Sequence, residues 1–292
     1  MNAPGVSQTK SDKESSSDDY AGVEMRRVFR ECLGKVSWIG DLRPDVQFSI
    51  KELARKSSRP DTAAIVLLKR LMRYVAGTKD YCLVLEIAAP MTEIVALRYS
   101  NWASPRSTSG CVVHYGGNRF CLHSHARTQP VTALSSAEAE LIAASVGAAE
   151  GKMLQSLVSE VLGKAIPIRL MLDSSAAIGI CSRQGVGRVK HLQIRWLWLQ
   201  QSVHENEVKL GKIPTAENTS DLLTKYLPVT AHQLHTEGVG LMSQEALYGE
   251  QVDLDVEPLQ QLLLMLEPET EPTAVEHRET RAVSSTDPVV TE

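Results

Sequence analysis

The chain has 292 residues, 43% of them hydrophobic, and a formal net charge of −4, which bounds it to one or two packed domains. No apolar run reaches the roughly 18 residues that a membrane-spanning helix needs, and the N-terminus lacks the basic and apolar regions of a secretory leader. The five cysteines (Cys32, Cys82, Cys111, Cys121 and Cys181) make no Cys-x-x-Cys pair and read as free thiols of a reducing interior, cytoplasmic or nuclear.

Residues 1–21 are rich in Ser, Asp and Lys without apolar periodicity, and disorder is expected there. Between residues 22 and 79 the apolar spacing is helical. Val28, Cys32, Val36 and Ile39 mark one helix. Arg43-Pro44 breaks the chain, and Val46, Ile50, Leu53 and Ala54 mark a second helix. Arg59-Pro60-Asp61 opens a third, with Ile65, Leu68, Leu71, Met72 and Val75 on one face and Gly77 as a C-cap. Residues 81–85 read as a short strand.

From residue 93 the period changes. Strands are expected at 93–99, 109–115 and 118–123, the last two joined by a tight Gly116-Gly117 turn, so that the three form an antiparallel meander. A helix over 137–162, a buried strand at 168–172 and a short helix at 174–181 follow. Then come a long helix over 189–205, a strand at 208–213 and a last helix at 218–225. The order is β-β-β-α-β-α-α-β-α. Residues 251–292 hold ten acidic and two basic side chains, so the preceding 250 residues carry 29 basic and 25 acidic ones, a mildly basic body (+4) with an acidic tail. That balance is compatible with nucleic acid without demanding it. Within residues 241–292 only 259–266 has the pattern of an amphipathic helix.

Three carboxylates stand at element ends. Ser135 is placed to N-cap the helix at 137–162 and Glu138 to close a capping box, which leaves Glu140 without a capping role. It is either a solvated glutamate near a positive helix end or a site residue. Asp173 follows the buried strand, as N-cap of the next helix or as a ligand-facing group where open α/β sheets place ligands. Asp221 falls three residues after Asn218 and is by default a capping residue. Glu93 lies at the far end of its strand. His123-x-His125 lacks the further ligands of a zinc site. Trp196 and Trp198, with Leu192, Ile194, Leu197 and Leu199, read as a core-facing stripe.

Six pieces in order resemble copia-type retrotransposon Pol polyproteins. They are Leu42-Arg-Pro-Asp-Val-Gln-Phe48, Leu68-Lys-Arg-Leu-Met-Arg-Tyr-Val-Ala-Gly-Thr78, Arg106-Ser-Thr-Ser-Gly110, Ala133-Leu-Ser-Ser-Ala-Glu-Ala-Glu140, Lys190-His191 and Asp221-Leu-Leu-Thr-Lys225. The resemblance covers residues 24–228 and is similar in element order to the ribonuclease H fold. It implies an α/β domain with a five-stranded mixed sheet flanked by helices over residues 91–228. Before it, residues 22–90 would be the helical thumb or connection end of a reverse transcriptase, and residues 229–292 a mostly disordered acidic tail. On this reading the chain is a fragment or domesticated remnant.

The resemblance also implies a chemistry, hydrolysis of the RNA strand of an RNA–DNA hybrid with two Mg²⁺ (or Mn²⁺) ions roughly 4 Å apart. Four carboxylates serve that site in the family, and Glu140, Asp173 and Asp221 match three of them as catalytic and metal-ligating residues. The first position departs. The family's Ser-Asp-x-Asp-Trp is here Arg98-Tyr-Ser-Asn-Trp-Ala103, with Asn101 where the ligand should be and no aspartate between Asp80 and Asp173. An amide oxygen carries no charge, so metal binding and hydrolysis are expected to be impaired or lost. The alternative is a non-catalytic module that binds nucleic acid or serves in assembly. Arg106, Arg188, Lys190 and His191 are the weaker candidates for phosphate contacts. A reverse transcriptase is the implied protein partner, and no membrane is implied.

Overall fold

A computed structural model describes residues 3–5, 20–85, 92–103, 105–116, 120–187, 194–249, 261 and 263–266. Helices α1 (Val23–Trp38), α2 (Pro44–Ala54) and α3 (Thr62–Gly77) pack Phe29, Cys32, Leu53, Leu68, Leu71 and Met72 into one core. Pro44 starts α2 where a missing N–H costs nothing, and Asp61 caps α3 by accepting from Ala64 N at 2.7 Å. Gly77 is the last helical residue rather than the cap, which is Thr78. Strand β1 (Tyr81–Leu83) follows.

The sheet is built from β2 (Ile94–Asn101), β3 (Thr108–Tyr115), β4 (Cys121–Thr128), β5 (Ile168–Leu172) and β6 (Val208–Lys212). Its spatial order is β4-β3-β2-β5-β6. The β2–β3 and β3–β4 pairs are antiparallel, whereas β2–β5 and β5–β6 are parallel. This is the mixed five-stranded sheet expected. Between β4 and β5 runs α4 (Ser136–Leu162), and between β5 and β6 run α5 (Ser175–Cys181), a 3-10 turn at Ile194–Trp196 and α6 (Trp198–His204). Alternation along β2 divides the core. Ile94 and Ala96 face Leu141, Ile142 and Ala148 of α4. Val95 and Leu97 face Leu222, Leu223, Val239 and Leu241 on the other side.

Three expectations are corrected. The long helix at 189–205 is instead a 3-10 turn and the short α6 over its described part, residues 188–193 lying outside the described residues. Trp196 and Leu199 lie in the core, and Leu197 and Trp198 pack against it, as the core-facing stripe expected. Trp196 is buried, and Ile194 is 83% exposed. The last helix is a 3-10 turn, Thr219–Leu223, preceded by another at Thr215–Glu217. Finally, residues 229–248 are not a structureless tail. They form α7 (Val229–Gly238), β7 (Leu241–Ser243), which pairs antiparallel with β1, and α8 (Gln244–Tyr248). Leu263 and Leu266, from the amphipathic segment, pack on the N-terminal helices. The Gly116-Gly117 turn falls partly outside the described residues.

Candidate functional site

The site lies at the C-terminal end of β2, where β5 runs parallel beside it. Register places Arg98 opposite Leu172, so the strand ends carrying Tyr99–Asn101 and Asp173 emerge side by side. Above them α4 is anchored at Ser135, whose hydroxyl accepts from Glu138 N at 3.2 Å. The return bond departs from the usual box: Glu138 Oε2 accepts from Leu134 N at 2.8 Å, one residue before the cap. This leaves Glu140, two residues on, to reach the sheet, where its Oε1 accepts from Ser100 N at 3.3 Å. Glu140 is 8% exposed. Burial, and then the charge of Asp173, push its carboxyl up to about 8, with a smaller push from Asp221. Glu140 on α4 therefore feels the charges of Asp173, just past β5, and of Asp221 in the last 3-10 turn.

Neither of the other two carboxylates is used for capping. Ser174, not Asp173, caps α5 by accepting from Ala177 N at 3.2 Å. Asp173 Oδ2 instead accepts from Thr215 Oγ1 at 3.1 Å. Asn218 caps the last 3-10 turn by accepting from Ser220 N at 3.3 Å, and its amide donates to Arg98 O at 3.0 Å, which pins the turn to β2. Asp221 is thereby free. Its Oδ2 pairs with Lys225 Nζ at 2.7 Å, while Oδ1 is buried with no hydrogen-bond partner. Burial raises the Asp221 carboxyl, against the hydrogen bond from Lys225.

Asn101 ends β2 half-buried, and its Nδ2 donates to Thr224 O at 3.4 Å. Next to it Trp102 is 54% exposed, with its indole N–H held by Ala133 O at 3.1 Å. Arg106, in the β2–β3 connection, is exposed. Arg188, Lys190 and His191 lie outside the described residues. Glu93 is at the opposite end of β2, paired with Arg169 at 3.2 Å. Sequence reasoning missed Lys225, whose ammonium also sits 4.6 Å from the Tyr99 ring centroid. The signal was present, since Lys225 lies four residues after Asp221, a spacing that brings opposite charges together. Burial opposes the Lys225 charge, yet the bond and charge of Asp221, together with Tyr99, hold its pKa above the ordinary lysine value.

Among the described residues one trio of ligand-type atoms closes to within 4.8 Å: Cys111, His125 and Glu150. It already holds a cation. The fully buried Arg98 guanidinium meets His125 Nε2 at 3.3 Å and Glu150 Oε2 at 3.4 Å. Burial, then Arg98, push His125 down to about 2, and burial pushes the Cys111 thiol up to about 12. A neutral imidazole, a protonated thiol and a guanidinium describe charge compensation for Arg98 rather than a metal centre.

No family model matches the chain. It is 25% identical over 231 residues to the retrovirus-related Pol polyprotein from transposon RE1 of Arabidopsis thaliana, covering 76% of this chain and 16% of that relative. It is 28% identical over 204 residues to the Pol polyprotein from transposon TNT 1-94 of Nicotiana tabacum, covering 69% and 15%. The chain thus spans about a sixth of the length of these relatives. Among solved structures it is similar to the N-terminal ribonuclease H domain of a Mycobacterium tuberculosis protein, at 16% identity, 50% coverage of this chain, 97% of that chain and a TM-score of 0.33. It is also similar to LC11-RNase H1 in complex with an RNA/DNA hybrid, at 15% identity, 45% and 94% coverage and a TM-score of 0.34. The sheet order and strand directions, rather than these scores, carry the fold assignment. A sheet with the order β4-β3-β2-β5-β6, covered by α4 on one face, sits in a chain related over most of its length to plant transposon polyproteins: this protein is a homologue, with a ribonuclease H-like domain, of copia-type retrotransposon Pol polyproteins.

Proposed function

We propose that this chain engages RNA–DNA hybrids at the end of β2 and has lost most or all of the power to hydrolyse them. One observation carries the reading. Glu140 bonds Ser100 N at the end of β2, the charges of Asp173 and Asp221 reach it, and none of the three is used for capping, while Asn101 occupies the strand end itself. The domain in question spans residues 91–228, with residues 22–90 as the helical end of a reverse transcriptase. A reverse transcriptase is the protein that such a module would accompany.

The donor set fits one hard divalent cation. Mg²⁺ or Mn²⁺ takes oxygen ligands, and the orphaned Asp221 Oδ1 with Asp173 and Glu140 supplies them. The set does not fit a pair of ions, because Asn101 brings no charge. A bound divalent ion would supply Lewis-acid stabilisation at the phosphate. The protein's own residues position the hybrid: Trp102 offers an exposed ring face at the mouth, and Arg106 a cation for the backbone.

A labelled hybrid incubated with Mg²⁺ or Mn²⁺ tests this. We expect salt-sensitive binding and cleavage no faster than in an Asp173→Asn control. Rebuilding the β2 end as Ser-Asp-x-Asp-Trp should raise cleavage above that control. Robust cleavage by the unaltered chain sinks the impairment, and absence of hybrid binding sinks the whole reading. The second reading, a module that binds without any catalysis, is favoured by the Asn101 amide, which ties β2 to Thr224 O.

A further inference from the structure

We propose that Lys225 is a built-in counter-cation of the acid pocket, which holds Asp221 in competition with a divalent ion and so weakens the binding of that ion. This rests on reading the pocket as a cation site, and deepens it. The ammonium stands 2.7 Å from Asp221 Oδ2. Its second neighbour is the face of Tyr99, 4.6 Å from the ring centroid, where a cation is attracted by the ring's negative face. Tyr99 and Asn101 are two apart on β2 and so share the face of the strand on which the last 3-10 turn packs. Lys225 is thereby fixed from two sides, at the wall where the strand-end carboxylate is missing.

The geometry of the turn makes this a fixed arrangement. Asn218 and Ser220 are fully buried, and Asn218 is bonded to Arg98 O, so Asp221 cannot swing away. Its Oδ1 is left buried and unpartnered, while Oδ2 is committed to the ammonium. A divalent ion bound to Asp221 must therefore face the Lys225 charge at close range or displace it from Asp221 and Tyr99 together. Like charges a few ångströms apart in a half-buried site repel strongly.

The test is Mn²⁺ binding to the full chain, read from the signal of free Mn²⁺ by electron paramagnetic resonance, with far-UV circular dichroism to check folding. Lys225→Met keeps the stem over Tyr99 and removes the charge. It should tighten the Mn²⁺ Kd by roughly tenfold or more, whereas Lys225→Arg, which keeps the charge, should leave it near that of the parent. Adding Asp221→Asn to Lys225→Met should abolish the gain. If Lys225→Met binds Mn²⁺ no better than the parent while Asp173→Asn weakens both, the pocket is a cation site and the counter-cation idea is wrong. If no Mn²⁺ binding in either background responds to Asp173→Asn, the cation pocket itself is wrong and the inference falls with it.

Discussion

His114 shows how one buried side chain sets a pH response. It is 2% exposed, its Nδ1 has no hydrogen-bond partner, and burial lowers its pKa to about 4. Between the ordinary histidine value of about 6.5 and about 4, the unfolded chain holds the proton and the folded chain does not. Stability contributed by the neutral imidazole is present above pH 6.5 and is lost as pH falls to 4, with a slope of up to about 1.4 kcal/mol per pH unit. Glu140, raised to about 8, acts in the other direction, losing stability as pH rises from 4.5 to 8. The difference between parent and His114→Leu isolates the histidine. Urea titrations from pH 7 to pH 4 should show the parent weakening relative to the variant, and parallel pH curves would contradict the assignment. Arg98 belongs to the same scale. A charged side chain in the middle of a buried strand is visible in the sequence, but its partners His125 and Glu150 are not, because neither spacing nor periodicity links residues 27 and 52 positions away.

At the scale of elements, legibility followed the kind of residue that is buried. The β5 strand, Ile168–Leu172, and α4, Ser136–Leu162, are where apolar spacing placed them to within a residue. Helix α7 escaped because its buried residues are His232, His235 and Thr236, and a search for apolar periodicity passes over polar side chains. The three acids were legible by position, but which of them the caps consume was not. That was decided by Ser174 and Asn218, each a better-placed cap than its acidic neighbour. Helix α4 also permits a test in which propensity and packing oppose each other. A Cβ on Gly147 would overlap the Arg98 side chain, which has no exposure and no room to yield. Gly34, on the exposed face of α1, meets nothing. Helix propensity alone favours alanine at both by about 1 kcal/mol. We expect Gly34→Ala to raise stability by about 0.5–1 kcal/mol, whereas overpacking makes Gly147→Ala lower it by about 1–3 kcal/mol. Chemical denaturation of both variants checks the signs.

For the whole molecule, the N-terminal helices carry a buried polar network of their own and are joined by buried polar bonds to α7 and to the sheet, not only by chain connectivity. Asp45 accepts from Arg43 Nη2 at 2.7 Å and Tyr74 Oη at 2.8 Å, Arg43 Nη2 donates to Thr78 Oγ1 at 2.6 Å, and His232 of α7 meets Asp45 O at 3.2 Å. Gln47 of α2 donates to Ser124 Oγ of β4 at 3.0 Å. Breaking the Gln47 joint would leave a buried amide and hydroxyl short of partners, which costs about 1–3 kcal/mol. The 22–90 and 91–228 regions should therefore unfold together: far-UV circular dichroism and tryptophan fluorescence are expected to give coincident urea transitions, and two separated midpoints would show independent units. This coupling was not legible in the sequence, where the boundary near residue 90 is marked only by a change of period.

The antiparallel pairing of Tyr81 with Ser243 has a consequence in time. On a ribosome adding about 5–20 residues per second, the strand that completes β1 emerges on the order of ten seconds or more after β1 itself. Until then Tyr81–Leu83 has an unpaired backbone edge, and the early helices wait for α7 to close over Asp45. A strand ending at residue 243 is thus the clasp for one starting at residue 81, and a nascent chain halted between the two should be held by chaperones or cleared by proteases.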